Sequence, residues 1–243
     1  MTPANARVLS FDCYGTLIDW ETGILTALRP LLRRAAPGLD DEAVLTAFAR
    51  QETAQQAETP EMPYAALLAH VHARLTAVWG AADHEAENLA FGASIGDWPP
   101  FADTVAALRD LGSRFRLVAL SNVDRASFAG SHARLGHVFD AVYTAQDIGS
   151  YKPDPRNFDY LIDRCAADGF QKSEILHVAQ SLFHDHGPAN AVGIASVWID
   201  RRHGKTGWGA TAPPPADVRY DFRYETLGAF AAAVENPSNL DLA

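Results

Sequence analysis

The hydrophobic positions of this chain change their rhythm several times. Val8-Leu9-Ser10-Phe11 is a short, mostly apolar run that ends at Asp12 and a turn glycine, Gly15, the pattern of a buried β-strand. After Asp19 the spacing becomes helical, with Ile24, Leu25, Leu28, Leu31 and Leu32 on one side until Pro37-Gly38 closes the segment. A second helix is expected from near Asp40, with Leu45 and Phe48 inside. A third is expected from Tyr64 to Trp79, where Leu67, Leu68, Val71, Leu75 and Val78 share a face before Gly80. No strand pattern intrudes between Asp19 and Asp97. Trp98-Pro99-Pro100 then breaks any helix, because proline removes a backbone donor and clashes with the preceding turn.

Beyond that break, strand and helix patterns alternate. Strands are expected at Arg116–Leu120, Phe139–Thr144, Ile175–Ala179 and Ile194–Ile199, with intervening helices marked by Val105, Leu108 and Leu111, by Phe128 and Leu135, and by Phe158, Leu161, Ile162 and Cys165. Such alternation predicts an α/β fold: a Rossmann-like, mostly parallel sheet with helices on both faces. The core is expected to comprise residues 1–19 and 98–243, interrupted by an all-helical insertion at 20–97. From Arg201 to Arg219 there is no periodicity, and the prolines at 213–215 exclude helix there; a loop of this length is either functional or mobile. An edge strand at Tyr220–Tyr224 and a helix at Thr226–Val234 complete the expectation.

Composition narrows the function classes. Twenty Lys plus Arg against 30 Asp plus Glu leave a net charge of −10, which disfavours nucleic acid and anionic membrane as partners. A small ligand is the better expectation. No run is long enough to span a bilayer and Met1 to Arg7 do not read as a signal peptide, so a cytoplasmic location is expected. The two cysteines, Cys13 and Cys165, form neither a disulfide framework nor a metal pattern.

Four places carry candidate chemistry. Asp12 stands at a strand's carboxyl end, where open parallel sheets gather their ligands, with Tyr14, Gly15 and Thr16 in the turn beyond it. Ser121-Asn122 follows the Arg116–Leu120 strand and suits either an oxyanion or a helix cap. Lys152 lies in Gly149-Ser150-Tyr151-Lys152-Pro153-Asp154-Pro155, a loop restrained by its prolines. His177 to His186 runs from a strand end into a polar turn containing Gln180, Ser181, His184 and Asp185.

Asp12-Cys13-Tyr14-Gly15-Thr16, Ser121-Asn122, Lys152 and the turn ending at Asp185, in this order, resemble the motifs of the haloacid dehalogenase superfamily, and within it the L-2-haloacid dehalogenases. The resemblance implies that the insertion is a cap and that Asp12 is a nucleophile paired with Lys152. It further implies that Asp185 orients Lys152 and a hydrolytic water, that Ser121 and Asn122 hold a substrate carboxylate, and that Arg50, followed by Gln51, receives a departing halide. Thr16, Tyr14, Ser181 and His184 fall at its substrate site. Phosphatases of the superfamily place a second aspartate where Tyr14 stands and an acidic magnesium ligand near Gln180. Their replacement here implies metal-free, cofactor-free hydrolysis of a small 2-haloalkanoic acid; a homodimer is expected from the family resemblance only. A magnesium-dependent phosphatase and a non-catalytic binding protein are the alternatives.

Overall fold

The computed structural model describes residues 3–235; the ends of the expected core, 1–2 and 236–243, lie outside the described residues. The chain enters through β1 (Val8–Phe11) and then forms four helices in succession, α1 (Trp20–Ala35), α2 (Asp41–Glu58), α3 (Tyr64–Val78) and α4 (Glu85–Ala93). Asp19 and Asp40 cap α1 and α2 by accepting the backbone N–H groups of Thr22 and Ala43, satisfying donors that a helix start leaves free. The sequence pattern does not anticipate α4. It is short, its Leu89 is exposed, and its inward face consists of Asn88, Phe91 and Gly92, too few large apolar residues to register as a stripe.

The alternating half follows as α5 (Thr104–Gly112), β2 (Arg116–Ser121), α6 (Arg125–Arg134), β3 (Ala141–Thr144), α7 (Ala145–Ile148), α8 (Arg156–Ala167), β4 (Ile175–Ala179), α9 (Gly187–Val192), β5 (Ala195–Ile199), β6 (Phe222–Tyr224) and α10 (Leu227–Glu235). The six strands are all parallel, in the order β3-β2-β1-β4-β5-β6. Alternate side chains of each strand point to opposite faces. Leu9, Phe11, Leu117, Ala119, Leu176 and Val178 therefore join the apolar cluster that contains α5, α6, α10 and the four inserted helices. Val8, Val118, Leu120 and Ile175 join α8 and α9 on the other face.

This strand order has one consequence for function. The chain moves from β1 outward to β3 and then returns to place β4 on β1's other side, so connections leave β1 and β4 in opposite directions and open a crevice beyond their carboxyl ends. Asp12 emerges at that point from β1, Gln180 from β4 and Asn122 from β2. Gly15 makes the exit from β1 tight. Its φ is +93°, and a Cβ there would lie 2.9 Å from Trp20 Nε1.

Candidate active site

Asp12 is almost completely buried, with both carboxylate oxygens engaged. Thr16 Oγ1 donates to Oδ2 at 2.7 Å and Lys152 Nζ donates to Oδ1 at 2.9 Å. The Thr16 oxygen in turn accepts the Gln180 backbone N–H at 2.8 Å, tying the β1 turn to the end of β4. Lys152 is 1% exposed, and its ammonium has one acceptor for each of its hydrogens: Asp12 Oδ1, the Leu120 carbonyl at 2.9 Å and Asp185 Oδ1 at 2.6 Å. Asn122 holds the lysine backbone from both sides, with Nδ2 donating to the Lys152 carbonyl at 2.9 Å and Oδ1 accepting its N–H at 2.7 Å.

Behind Asp185 lies His177, which the sequence reading passes over. Its Nε2 is 2.9 Å from Asp185 Oδ1 and its Nδ1 is 2.8 Å from Ser10 Oγ, its register partner on β1. With Asp185 ionised, Nε2–H donates to it and Nδ1 accepts from Ser10. Lys152 and His177 hold the Asp185 carboxyl far below the ordinary range in spite of its burial. Asp12 moves the other way: burial and the neighbouring charge of Asp185 raise it, against the pull of Lys152. The two carboxylates around one ammonium leave the cluster one negative charge in excess.

Asp12, Tyr14, Asn122, Lys152, Ser181, His184 and Asp185 line one small cavity with Trp20, Glu52, Gln56 and Tyr64. Two polar atoms of its lining residues, His184 Nε2 and Asp185 Oδ2, are buried without a hydrogen bond among the described residues, as is Ser121 Oγ at the end of β2. Burial pushes His184 down to about 4, so its ring is neutral near pH 7, with Nδ1 3.1 Å from Ser181 Oγ. Cys13, next to the carboxylate, is driven upward by burial and by Asp12; it stays a thiol and packs in the core. Tyr14 contributes its ring. Its hydroxyl is 2.8 Å from Ser131 Oγ, and burial holds the phenol well above its ordinary range, so it is no proton donor for a leaving group.

Arg50, expected at the substrate site, is not brought to the cavity in this structure. Arg50 is on the exposed side of α2, while Phe48, Glu52, Gln55 and Gln56 face inward. Residues along a helix are separated by about 100°, so Arg50 is turned roughly 160–200° away from Phe48 and Glu52. The charged residue that α2 brings to the cavity is Glu52. A signal for this existed in the sequence, because Glu52 lies four positions after Phe48, on the apolar stripe, where an unneeded charge is uncommon.

A superfamily magnesium site does not fit these residues. The Tyr14 hydroxyl is committed to Ser131, and Gln180 offers a neutral amide where a hard cation would need a carboxylate. Among the described residues no group of three or more His, Cys, Asp or Glu side chains is placed to hold a metal ion.

Residues 6–182 match a family model for haloacid dehalogenase-like hydrolases. A curated relative, (S)-2-haloacid dehalogenase 4A of Burkholderia cepacia, is 29% identical over 105 residues, which is 43% of this chain and 44% of that protein. The match thus spans less than half of the relative. Among solved structures, L-2-haloacid dehalogenase from Xanthobacter autotrophicus with chloropropionic acid covalently bound superposes with a TM-score of 0.74 at 19% identity, over 95% of this chain and 99% of that one. A haloacid-dehalogenase-type hydrolase from Bacillus subtilis bound to magnesium superposes equally well, with a TM-score of 0.74 at 16% identity, over 95% and 99% of the two chains. At such identities the likeness establishes the fold and leaves the choice of chemistry to the side chains.

Proposed function

The chain belongs to the haloacid dehalogenase-like hydrolase family, and from that premise we propose that it hydrolyses the carbon–halogen bond of a small 2-haloalkanoic acid through an ester on Asp12. The observation that supports this reading is that the two places where a phosphatase needs acids hold Tyr14, its hydroxyl committed to Ser131, and the neutral amide of Gln180, while Asp12 is paired with the Lys152 ammonium.

The roles follow from the geometry. Asp12, kept ionised by Lys152 and Thr16, attacks the halogen-bearing carbon, and the halide leaves with the bonding electrons. Halide departure requires no proton, which agrees with Tyr14 standing where a phosphatase needs an acid. The unpartnered Ser121 hydroxyl and Asn122, at the carboxyl end of β2, receive the substrate carboxylate. Water then attacks the aspartyl carbonyl. Asp185 Oδ2, a buried carboxylate oxygen with a free lone pair, is suited to hold that water, with Ser181 and His184 beside it. Each turnover consumes one water and yields the 2-hydroxy acid, halide and one proton. In this reading residues 20–97 are the cap and 1–19 with 98–243 the catalytic core.

A single turnover in heavy-oxygen water tests the mechanism. Mass analysis of the peptide containing Asp12 is expected to find the label in that carboxylate, because water opens the ester at the aspartyl carbonyl. Label passing straight into the product, with none in Asp12, would overturn the covalent role.

A further inference from the structure

With Arg50 facing solvent, the cavity lacks the guanidinium that would receive a halide, and its only cation is committed to Asp12 and Asp185. What α2 presents instead is Glu52, 3% exposed, on the wall of the cavity that contains Asp12. Tyr64, at the start of α3, donates its hydroxyl to Glu52 Oε1, and no other hydrogen bond engages the carboxyl among the described residues. No Lys, Arg or His lies within ion-pair distance of it among those residues. The groups facing it are the phenols of Tyr64 and Tyr151 and, across the cavity, neutral His184 and the Asp12–Lys152–Asp185 cluster with its excess negative charge.

We propose, building on the dehalogenase reading, that Glu52 in its carboxylic acid form is the hydrogen-bond donor that receives the leaving atom, and that the substrate it suits is a 2-fluoroalkanoic acid. Tyr64 fills one oxygen of the carboxyl and so directs the acid proton to the other, Oε2. Fluoride is the smallest halide, the one with the most concentrated charge and the strongest hydrogen-bond acceptor. A single O–H donor therefore serves it far better than it serves bromide, whose diffuse charge suits a guanidinium or an apolar pocket. In the step itself an Asp12 oxygen bonds to C2 while the C–F bond breaks and its electron pair goes to fluorine. Glu52 shares its proton with the fluoride and keeps it when the ion departs.

Burial pushes Glu52 up to about 7, so the donor is present below that pH and lost as pH rises through it. Fluoride release should accordingly decline on the alkaline side while bromide release stays nearly level. The experiment measures both from 2-fluoro- and 2-bromopropionate across pH with wild type, E52Q and E52L. E52L is expected to lose about a hundredfold in fluoride release and less than about threefold in bromide release. E52Q keeps an N–H donor at all pH and is expected to lose the alkaline decline. Equal losses on both substrates in E52L, or an alkaline decline that persists in E52Q, would overturn the proposal. Infrared spectroscopy reads Glu52 without turnover: a protonated-carboxyl band absent from E52Q should shift when fluoride is added. If wild type releases no halide at all, the dehalogenase reading fails, yet the band shift would still support Glu52 as the donor and its absence would refute it.

Discussion

Two cations in this molecule are each held between two carboxylates, and they do different work. Lys152 sits between Asp12 and Asp185 at the end of the sheet, 1% exposed, with its charge shared between the two carboxylates. Arg202, in the irregular loop after β5, sits between Glu21 of α1 and Glu42 of α2. Its Nη1 donates to both Glu21 oxygens at 2.5 and 2.6 Å and its Nη2 to Glu42 Oε2 at 2.5 Å. The Gly209 and Ala210 N–H groups reach the same two carboxylates at 3.0 and 3.4 Å. The loop that lacked any pattern is thus latched to two of the inserted helices, and its Thr211 reaches the cavity that contains Asp12. The lysine cluster is buried, compact and short of one positive charge; the arginine cluster is at the rim, with the Glu42 side chain 36% exposed. The difference teaches that the same charge pattern stores reactivity where water is excluded and supplies positioning where water can compete.

Three experiments sharpen or break this contrast. The largest effect is expected from Lys152→Met, which leaves two buried carboxylates facing each other. Halide release should fall by on the order of a thousandfold or more, and because breaking a buried pair costs about 3–5 kcal/mol, thermal unfolding should shift down markedly. Retention of substantial activity would remove Lys152 from the mechanism. Arg202→Gln should be milder. Loosening the latch is expected to raise KM more than it lowers kcat and to cost about 1 kcal/mol in a denaturant titration, discounted for the exposure of Glu42. High salt should mimic it in part for wild type, since screening acts on the exposed pair and not on the buried one. An equal loss in kcat would assign Arg202 to the chemistry instead. The smallest effect is expected from Arg50→Ala. An exposed residue away from the cavity should alter stability by less than about 0.5 kcal/mol and leave turnover near wild type. A large fall in ester formation would return Arg50 to the site through a conformational change.

The comparison also explains how much was legible beforehand. Asp12, Lys152 and Asp185 are readable because each follows a strand or sits in a loop pinned by proline, and parallel sheets bring strand ends together whatever the connections do. Strands β1, β2, β4 and β5 emerge from pattern for a related reason, since strands buried on both faces are runs of apolar residues; the less buried β3 and β6 are shorter than expected. His177 is harder. Midway along β4 it looks like an interruption of an apolar strand, and only its register opposite Ser10 shows that it supports Asp185.

Local sequence, then, determined the strands, three of the four inserted helices, and the order in which a carboxylate, an ammonium and a second carboxylate arrive at one end of a sheet. Each of these depends on contacts within a few residues or on the fixed alternation of a strand. The tertiary structure alone decided which side of α2 faces the cavity, and so replaced Arg50 with Glu52. It alone decided that Arg202 joins the aperiodic loop to α1 and α2, and that one Lys152 ammonium reaches both Asp12 and Asp185. The physical reason is common to all three. Rotation of a helix about its axis is set by the packing of its whole apolar stripe, and a charge pair between distant segments exists only after that packing has brought them within a few ångströms.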